Sequence, residues 1–168
     1  ARKSRQVFYV RDGAIYSTHL DTKATRVVAT DLPPRLGSGL AVNADETLLA
    51  GSLVEAGAPP FPPRRDPSLE ARWAAKLPMA LYTIDIASGA MKNIYRSTDW
   101  LNHVKFSPTD PGLIMFGHEG PWHKLDRIWT IRTDGSGLTK QHTRQMDMEI
   151  AGHEFFSPDG RTIWYDLQ

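Results

Sequence analysis

The chain has no cysteine, which excludes a disulfide framework and thiolate chemistry. It has almost no net charge, +1 at pH 7, so it lacks the strong field that gathers nucleic acid or anionic membrane, and neither partner is expected. No apolar run approaches the ~20 residues that a membrane span needs. The opening Ala1-Arg-Lys-Ser-Arg5 lacks the apolar core of a signal peptide, and the expected location is the cytoplasm. There is no initiator methionine, and Gln168 follows directly on a strand-like run. Both ends therefore read as cut, and the chain as an internal fragment. No single run holds a complete metal shell: there is no helical His-x-x-x-His and no cysteine pair.

What remains is 168 residues, 40% of them hydrophobic, enough for one ordinary domain or a piece of a larger one. Short alternating runs dominate. Val7–Val10 and Ala14–Leu20 flank Arg11-Asp-Gly13, a hairpin signal, and Thr25–Ala29, Thr47–Val54, Ala80–Ile86, Met91–Tyr95, Leu113–Gly117, Arg127–Arg132 and Thr162–Leu167 also read as strands. Leu138–Gln145 reads as a weaker, polar strand. Residues 57–78 break the pattern. Ala58-Pro-Pro-Phe-Pro-Pro63 is irregular or polyproline-like, and Pro67–Leu77 has the composition of a helix of two or three turns.

One stretch recurs. Ile150-Ala-Gly-His-Glu-Phe-Phe-Ser-Pro-Asp-Gly160 has a counterpart in Leu101-Asn-His-Val-Lys-Phe-Ser-Pro-Thr-Asp110 and a degenerate copy in Gly39–Glu46. Each reads as a strand opened by the anchor residue and closed by a turn. The anchors Gly39, His103 and His153 are 64 and 50 positions apart, and the turn aspartates Asp21, Asp85 and Asp134 are 64 and 49 apart. Two registers agree, and the longer spacing contains the insertion. Four short strands per unit of about 40–50 residues is the pattern of a β-propeller blade. The fold class is thus all-β, a β-propeller fragment of about three blade-equivalents with four-stranded antiparallel blades. The division is a partial blade at 1–31, a blade at 32–99 with the inserted loop 57–78, a blade at 100–149 and a partial blade at 150–168. The alternative is an irregular β-sandwich.

The first strand of a propeller blade lies nearest the central channel, so His103 and His153 should face one channel mouth from neighbouring blades. Gly117-His-Glu-Gly-Pro-Trp-His123 adds His118, Glu119, Trp122 and His123, and Arg127 opens the next strand. Polar groups converging on one concavity mark a candidate site. Each has a plainer reading. A lone motif histidine is more often a hydrogen-bonding strand residue than a catalyst. Trp122, Trp129 and Trp164 read as packing residues, Arg127 as an ion pair with Asp126, and His19, His123 and His142 as surface groups. The Ser-Pro-Asp-Gly turns are structural.

Trp100-Leu-Asn-His103, Gly117-His-Glu-Gly-Pro121, Asp126-Arg-Ile-Trp129 and Gly152-His-Glu-Phe155, in this order and spacing, resemble the oligogalacturonide lyases, seven-bladed propellers that act on short pectin fragments. The resemblance covers residues 95–168; the first half matches only as generic blade pattern. It implies His153 as catalytic base, Arg127 as the arginine engaging substrate, and His103 and His118 in the same substrate cleft. It also implies manganese, held by side chains of later blades absent here, so that no metal ligand falls in this chain. Glu119 and Glu154 would orient the histidines. An oligogalacturonide is the implied partner, within pectin degradation and carbohydrate metabolism.

The implied chemistry suits the residues. β-Elimination takes the C5 proton of a uronate and expels the C4 oxygen. A neutral imidazole is a fitting base near pH 7, and a guanidinium grips a carboxylate in a planar fork. Two alternatives stand beside it. One is a non-catalytic propeller of the TolB type binding a protein or glycan. The other is a hydrolase, which needs two carboxylates about 5–10 Å apart, with Glu119 and Glu154 as candidates.

Overall fold

The computed structural model describes residues 1–37, 39–60 and 69–168. Thirteen strands and one short α-helix are assigned among them, and the strands form four antiparallel sheets, each built from consecutive strands. The first sheet holds β1 (Gln6–Arg11), β2 (Ala14–His19) and β3 (Thr25–Ala29). The second holds β4 (Ala41–Val42), β5 (Leu48–Val54), β6 (Met79–Asp85) and β7 (Met91–Ser97). The third holds β8 (Trp100–Phe106), β9 (Leu113–Glu119), β10 (Ile128–Arg132) and β11 (Thr139–Lys140). The fourth holds β12 (Ala151–Phe156) and β13 (Ile163–Leu167).

The inner strands are buried on both faces, which explains their unbroken apolar runs. Side chains alternate across a strand, so each feeds two cores. On β6, Ala80, Tyr82 and Ile84 join Ile15, Val28 and Leu49 between the first two sheets, while Met79 and Leu81 join Leu101, Ile114 and Phe116 between the second and third. On β9, Ile114 and Phe116 face the second sheet and Met115 packs with Ile128 and Ala151 toward the fourth.

Turn chemistry repeats with the sheets. Asp85 accepts from the backbone N–H and hydroxyl of Ser88, both at 2.7 Å, and Asp134 does the same for Ser136 at 2.8 and 2.7 Å. Each turn carries a left-handed glycine, Gly89 after the serine or Gly135 before it, pressed against the last strand of the preceding sheet. A Cβ would come within 2.5 Å of the Val28 carbonyl at one and 2.7 Å of the Ile94 carbonyl at the other.

The recurrent turns also meet. Thr109 donates to the Asp159 carbonyl at 3.1 Å, and Asn43 to the Pro111 carbonyl at 3.3 Å. The first strands β4, β8 and β12 thereby stand side by side, and Val42, Lys105, Phe106 and Phe156 from them line a shared cavity of ≈ 560 Å³ with Arg2 and Lys3.

Two strand readings change. His103 and His153 do not open their strands. β8 starts three residues earlier, because Trp100, Leu101 and Asn102 pair with Glu119, His118 and Gly117, and β12 begins at Ala151, paired with Leu167. Each histidine sits at a break in register, between Asn102 and Lys105 or between Gly152 and Phe155, with φ of 53° and 52°. These are β-bulges, and left-handed backbone costs a side-chain-bearing residue about 1–2 kcal/mol. The polar strand over 138–145 shrinks to β11, two residues long.

In the insertion, the described part of the helix is α1 (Leu69–Ala74), ended by Lys76 at φ 44° and by Pro78. Phe61, Pro62, Pro63, Pro67 and Ser68 of the polyproline and helix readings lie outside the described residues. The helix docks on the third sheet. The Arg72 guanidinium lies 3.5 Å over the Trp100 ring, Glu70 pairs with Lys124 at 2.6 Å and Lys76 with Asp99 at 2.7 Å. No helix among the described residues is long and apolar enough to cross a membrane.

Candidate active site

A cavity of ≈ 410 Å³ opens between the third and fourth sheets. His103 and Lys105 come from β8, Glu119 and Trp122 from the end of β9 and the 3-10 turn after it, and Arg127 from the residue before β10. His153, Glu154 and Phe155 come from β12, with Asp166 and Gln168 from the end of the chain. Both bulge histidines and Arg127 thus line one hollow.

Glu119 is its hub. Oε1 accepts from Arg127 Nη1 at 2.6 Å, the Trp122 indole at 2.8 Å and the Gly120 N–H at 3.2 Å; Oε2 meets His103 Nε2 at 2.9 Å. Burial works against its charge, but the bonds from His103, Arg127, Trp122 and Gly120 outweigh burial and hold the carboxyl below the usual carboxylate range. Glu154, only 1% exposed, faces Arg127 Nη2 at 3.5 Å, Lys105 Nζ at 3.8 Å and His103 Nδ1 at 4.0 Å. These are ion-pair distances without hydrogen bonds, and both its oxygens and Arg127 Nε are buried and unpartnered. Arg127 itself is 5% exposed. Asp126 pairs with Lys140 at 2.6 Å, so the plain reading of an Arg127–Asp126 ion pair gives way to Arg127 between two glutamates.

His153 differs. Its side chain is 86% exposed, and Nδ1 meets Asp166 Oδ2 at 2.9 Å. This bond holds the Asp166 carboxyl below its ordinary range. Gln168 Nε2 donates to the same oxygen at 3.2 Å. Glu154, expected to orient a histidine, does not bond His153. Asp166 on the paired strand does so instead, and nothing in Trp164-Tyr-Asp166 signals it before β13 is laid beside β12.

His118 is not in this cavity. Adjacent strand residues point to opposite faces, so with Glu119 turned toward the fourth sheet His118 turns toward the second. Its ring stacks on Trp129 at 4.9 Å and lies 6.4 Å from Tyr95, and Nδ1 pairs with Asp99 Oδ2 at 3.2 Å. Burial pushes its pKa down, with Asp99 opposing. A substrate contact for His118 has no geometric basis here.

Other plain readings also shift. Trp122 is cavity wall rather than packing, and Trp164 is 57% exposed. His142 is no surface group: Nε2 bonds the buried Glu149 at 2.5 Å and Nδ1 the Tyr165 hydroxyl at 3.1 Å. His19 accepts the N–H groups of Asp21 and Thr22 at 3.2 and 3.3 Å, and the His123 carbonyl accepts from Arg144. Lys105 and Gln168 are cavity residues that motif reading passed over. Two places after His103 in a strand that faces the cavity, Lys105 carried a signal of parity. Among the described residues, no group of three or more His, Asp or Glu side chains could hold a metal ion.

Sheets of consecutive antiparallel strands, packed face to face with their first strands together, make this a portion of a β-propeller. Solved structures agree. TolB from Acinetobacter baumannii superposes with a TM-score of 0.64 over 96% of the chain at 14% identity, a likeness of fold alone. Closer likeness comes from an oligogalacturonate lyase in complex with manganese (TM-score 0.83, 28% identity, 98% of this chain and 44% of that one). An oligogalacturonate lyase from Vibrio parahaemolyticus gives 0.83, 27% and the same coverage. A family model described as oligogalacturonate lyase matches residues 6–167. The chain belongs to the oligogalacturonate lyase family. The oligogalacturonide lyase of Pectobacterium atrosepticum is 34% identical over 88 residues, 51% of this chain and 22% of that protein. The match to the oligogalacturonate lyase of Dickeya dadantii, 35% over 86 residues, has the same coverage. The aligned stretch thus covers about a fifth of these curated relatives, and the chain covers under half of the solved ones.

Proposed function

We propose that these residues supply the proton-abstracting side of an active site that cleaves oligogalacturonides by β-elimination, with His153 as base. The observation that carries this reading is the contrast between the two cavity imidazoles. Both nitrogens of His103 face carboxylates, at 2.9 and 4.0 Å. His153 has one nitrogen held by Asp166, and its ring, at the cavity lining, is 86% exposed. A base needs a free lone pair within about 3 Å of the proton it takes.

In the reaction the C5–H bond breaks and its proton passes to His153 Nε2. The electron pair forms the C4–C5 double bond, and the C4–O4 bond breaks. O4 takes up a proton from solvent to become the new end of the departing sugar chain, His153 gives its proton back to solvent, and the other product is an unsaturated uronate. Charge growing on the C5 carboxylate calls for a nearby cation. Arg127 is that cation in this chain, but two glutamates already match its charge. A substrate carboxylate would compete with Glu154, the looser of the two at 3.5 Å. Manganese, carried by one solved relative, is the proposed cofactor, and when bound it would supply further positive charge. The described residues form no shell for it, and no step is assigned to it.

The test is His153→Ala in the full-length protein, followed by the ultraviolet absorbance of the unsaturated product. Turnover of trigalacturonate should fall by roughly 10²–10⁴-fold with binding retained; unchanged turnover would remove the base. The non-catalytic TolB-like alternative predicts no product from either form. The hydrolase alternative draws no support, since Glu119 and Glu154 are tied to one guanidinium.

A further inference from the structure

We propose that Asp166 is a positioning residue of this site, holding the Nδ1–H of His153 so that Nε2 presents its lone pair to the cavity. The inference rests on the reading of His153 as base.

The chemistry of the bond sets the tautomer. A carboxylate only accepts hydrogen bonds. The contact of 2.9 Å between Asp166 Oδ2 and His153 Nδ1 therefore places a proton on Nδ1. In a neutral ring the other nitrogen is then the acceptor. Without such a partner an imidazole is free to carry its proton on either nitrogen and to rotate about its side-chain bonds. A ring as exposed as His153 has little else to hold it.

The backbone is shaped around this contact. The strand register slips between Gly152 and Phe155 and His153 takes a left-handed φ of 52°, a conformation that bulges use to re-aim a side chain. Gly152 lies directly opposite Asp166. A Cβ at 152 would stand 3.3 Å from Asp166 Oδ1, so the glycine leaves the carboxylate room to reach past the strand. Gln168 donates to the same Oδ2 at 3.2 Å and steadies it. Exposed ion pairs contribute little to stability, so a bond built with this much local accommodation is assigned to orientation.

The experiment compares Asp166→Asn, Asp166→Glu and His153→Ala in the full-length, manganese-loaded protein. Nitrogen NMR of histidine-labelled protein reads the His153 tautomer, and product absorbance reads kcat and KM on trigalacturonate. The original protein should show Nδ1–H. In Asp166→Asn the amide N–H donates to Nδ1, the ring proton moves to Nε2, and kcat falls about 10²-fold with KM nearly unchanged and melting temperature retained. Asp166→Glu should restore the tautomer and much of kcat. An inactive His153→Ala beside an Asp166→Asn of unchanged tautomer and kcat would overturn this proposal alone. Full turnover in His153→Ala would overturn the base reading and this proposal with it.

Discussion

His103 and His153 occupy the same place in successive sheets, at the same bulge with nearly the same φ, and each meets a carboxylate from the strand paired with its own. Their surroundings are opposite. His103, itself 42% exposed, reaches into buried partners: Glu119 serves four donors, and Glu154 faces Arg127, Lys105 and His103. His153 stands exposed with one carboxylate and one amide beside it. One backbone device thus serves two ends: in the third sheet it locks a charge cluster, and in the fourth it presents a ring. The bulge decides where an imidazole points, and the burial of its partner decides what the imidazole can do.

The sharpest way to break this contrast is to remove each carboxylate. Glu119→Ala strands the buried Arg127 with Glu154 as a poor match, and should cost about 3–5 kcal/mol in urea unfolding. Asp166→Ala should cost under about 1 kcal/mol. Equal losses would mean the two networks do not differ as described. A smaller effect tests what they share. At φ near 50° glycine is at ease and alanine is not, so His103→Gly and His153→Gly should each be about 1 kcal/mol more stable than the matching alanine variant. A reversed order at either site would remove the bulge there.

The smallest effect belongs to His118, on the opposite face of the strand that carries Glu119. Burial lowers its folded pKa below the unfolded value of about 6.5. Above that value neither state holds the proton, and His118 adds no pH dependence. As pH falls through it the unfolded state takes up the proton first, so stability is lost toward acid. His118→Gln should flatten the melting temperature between about pH 7 and 5; an unaltered slope would assign the loss elsewhere.

Much of this was legible because it is local. Alternating runs, Asp-x-x-Ser or Asp-x-Ser turns and the paired anchors each depend on a few neighbouring residues, and they placed the strands, the repeat and the meeting of His103, Arg127 and His153. What escaped is long-range or geometric. Asp166 reaches His153 only once β12 and β13 are paired, and a left-handed bulge leaves no mark when the residue is histidine rather than glycine. The insertion helix touches Trp100 and Lys124 across the fold, with no sequence signal. His118 is a different case. It and Glu119 are consecutive in one strand, and parity alone forbids both from facing the cavity.

The seam where Gly160 meets the preceding turn has a consequence for the cavity beyond it. A methyl group there would lie 2.1 Å from the Thr109 hydroxyl and 3.0 Å from that of Ser107. The two sheets are thus clamped together by contact with almost no slack, roughly 10–20 Å along the strand from His153. Prising that joint open would act as a wedge under a lever, carrying the exposed imidazole away from the guanidinium in the neighbouring sheet. The spacing of His153 and Arg127 is therefore governed by a hydrogen atom on a glycine that lines no part of their cavity.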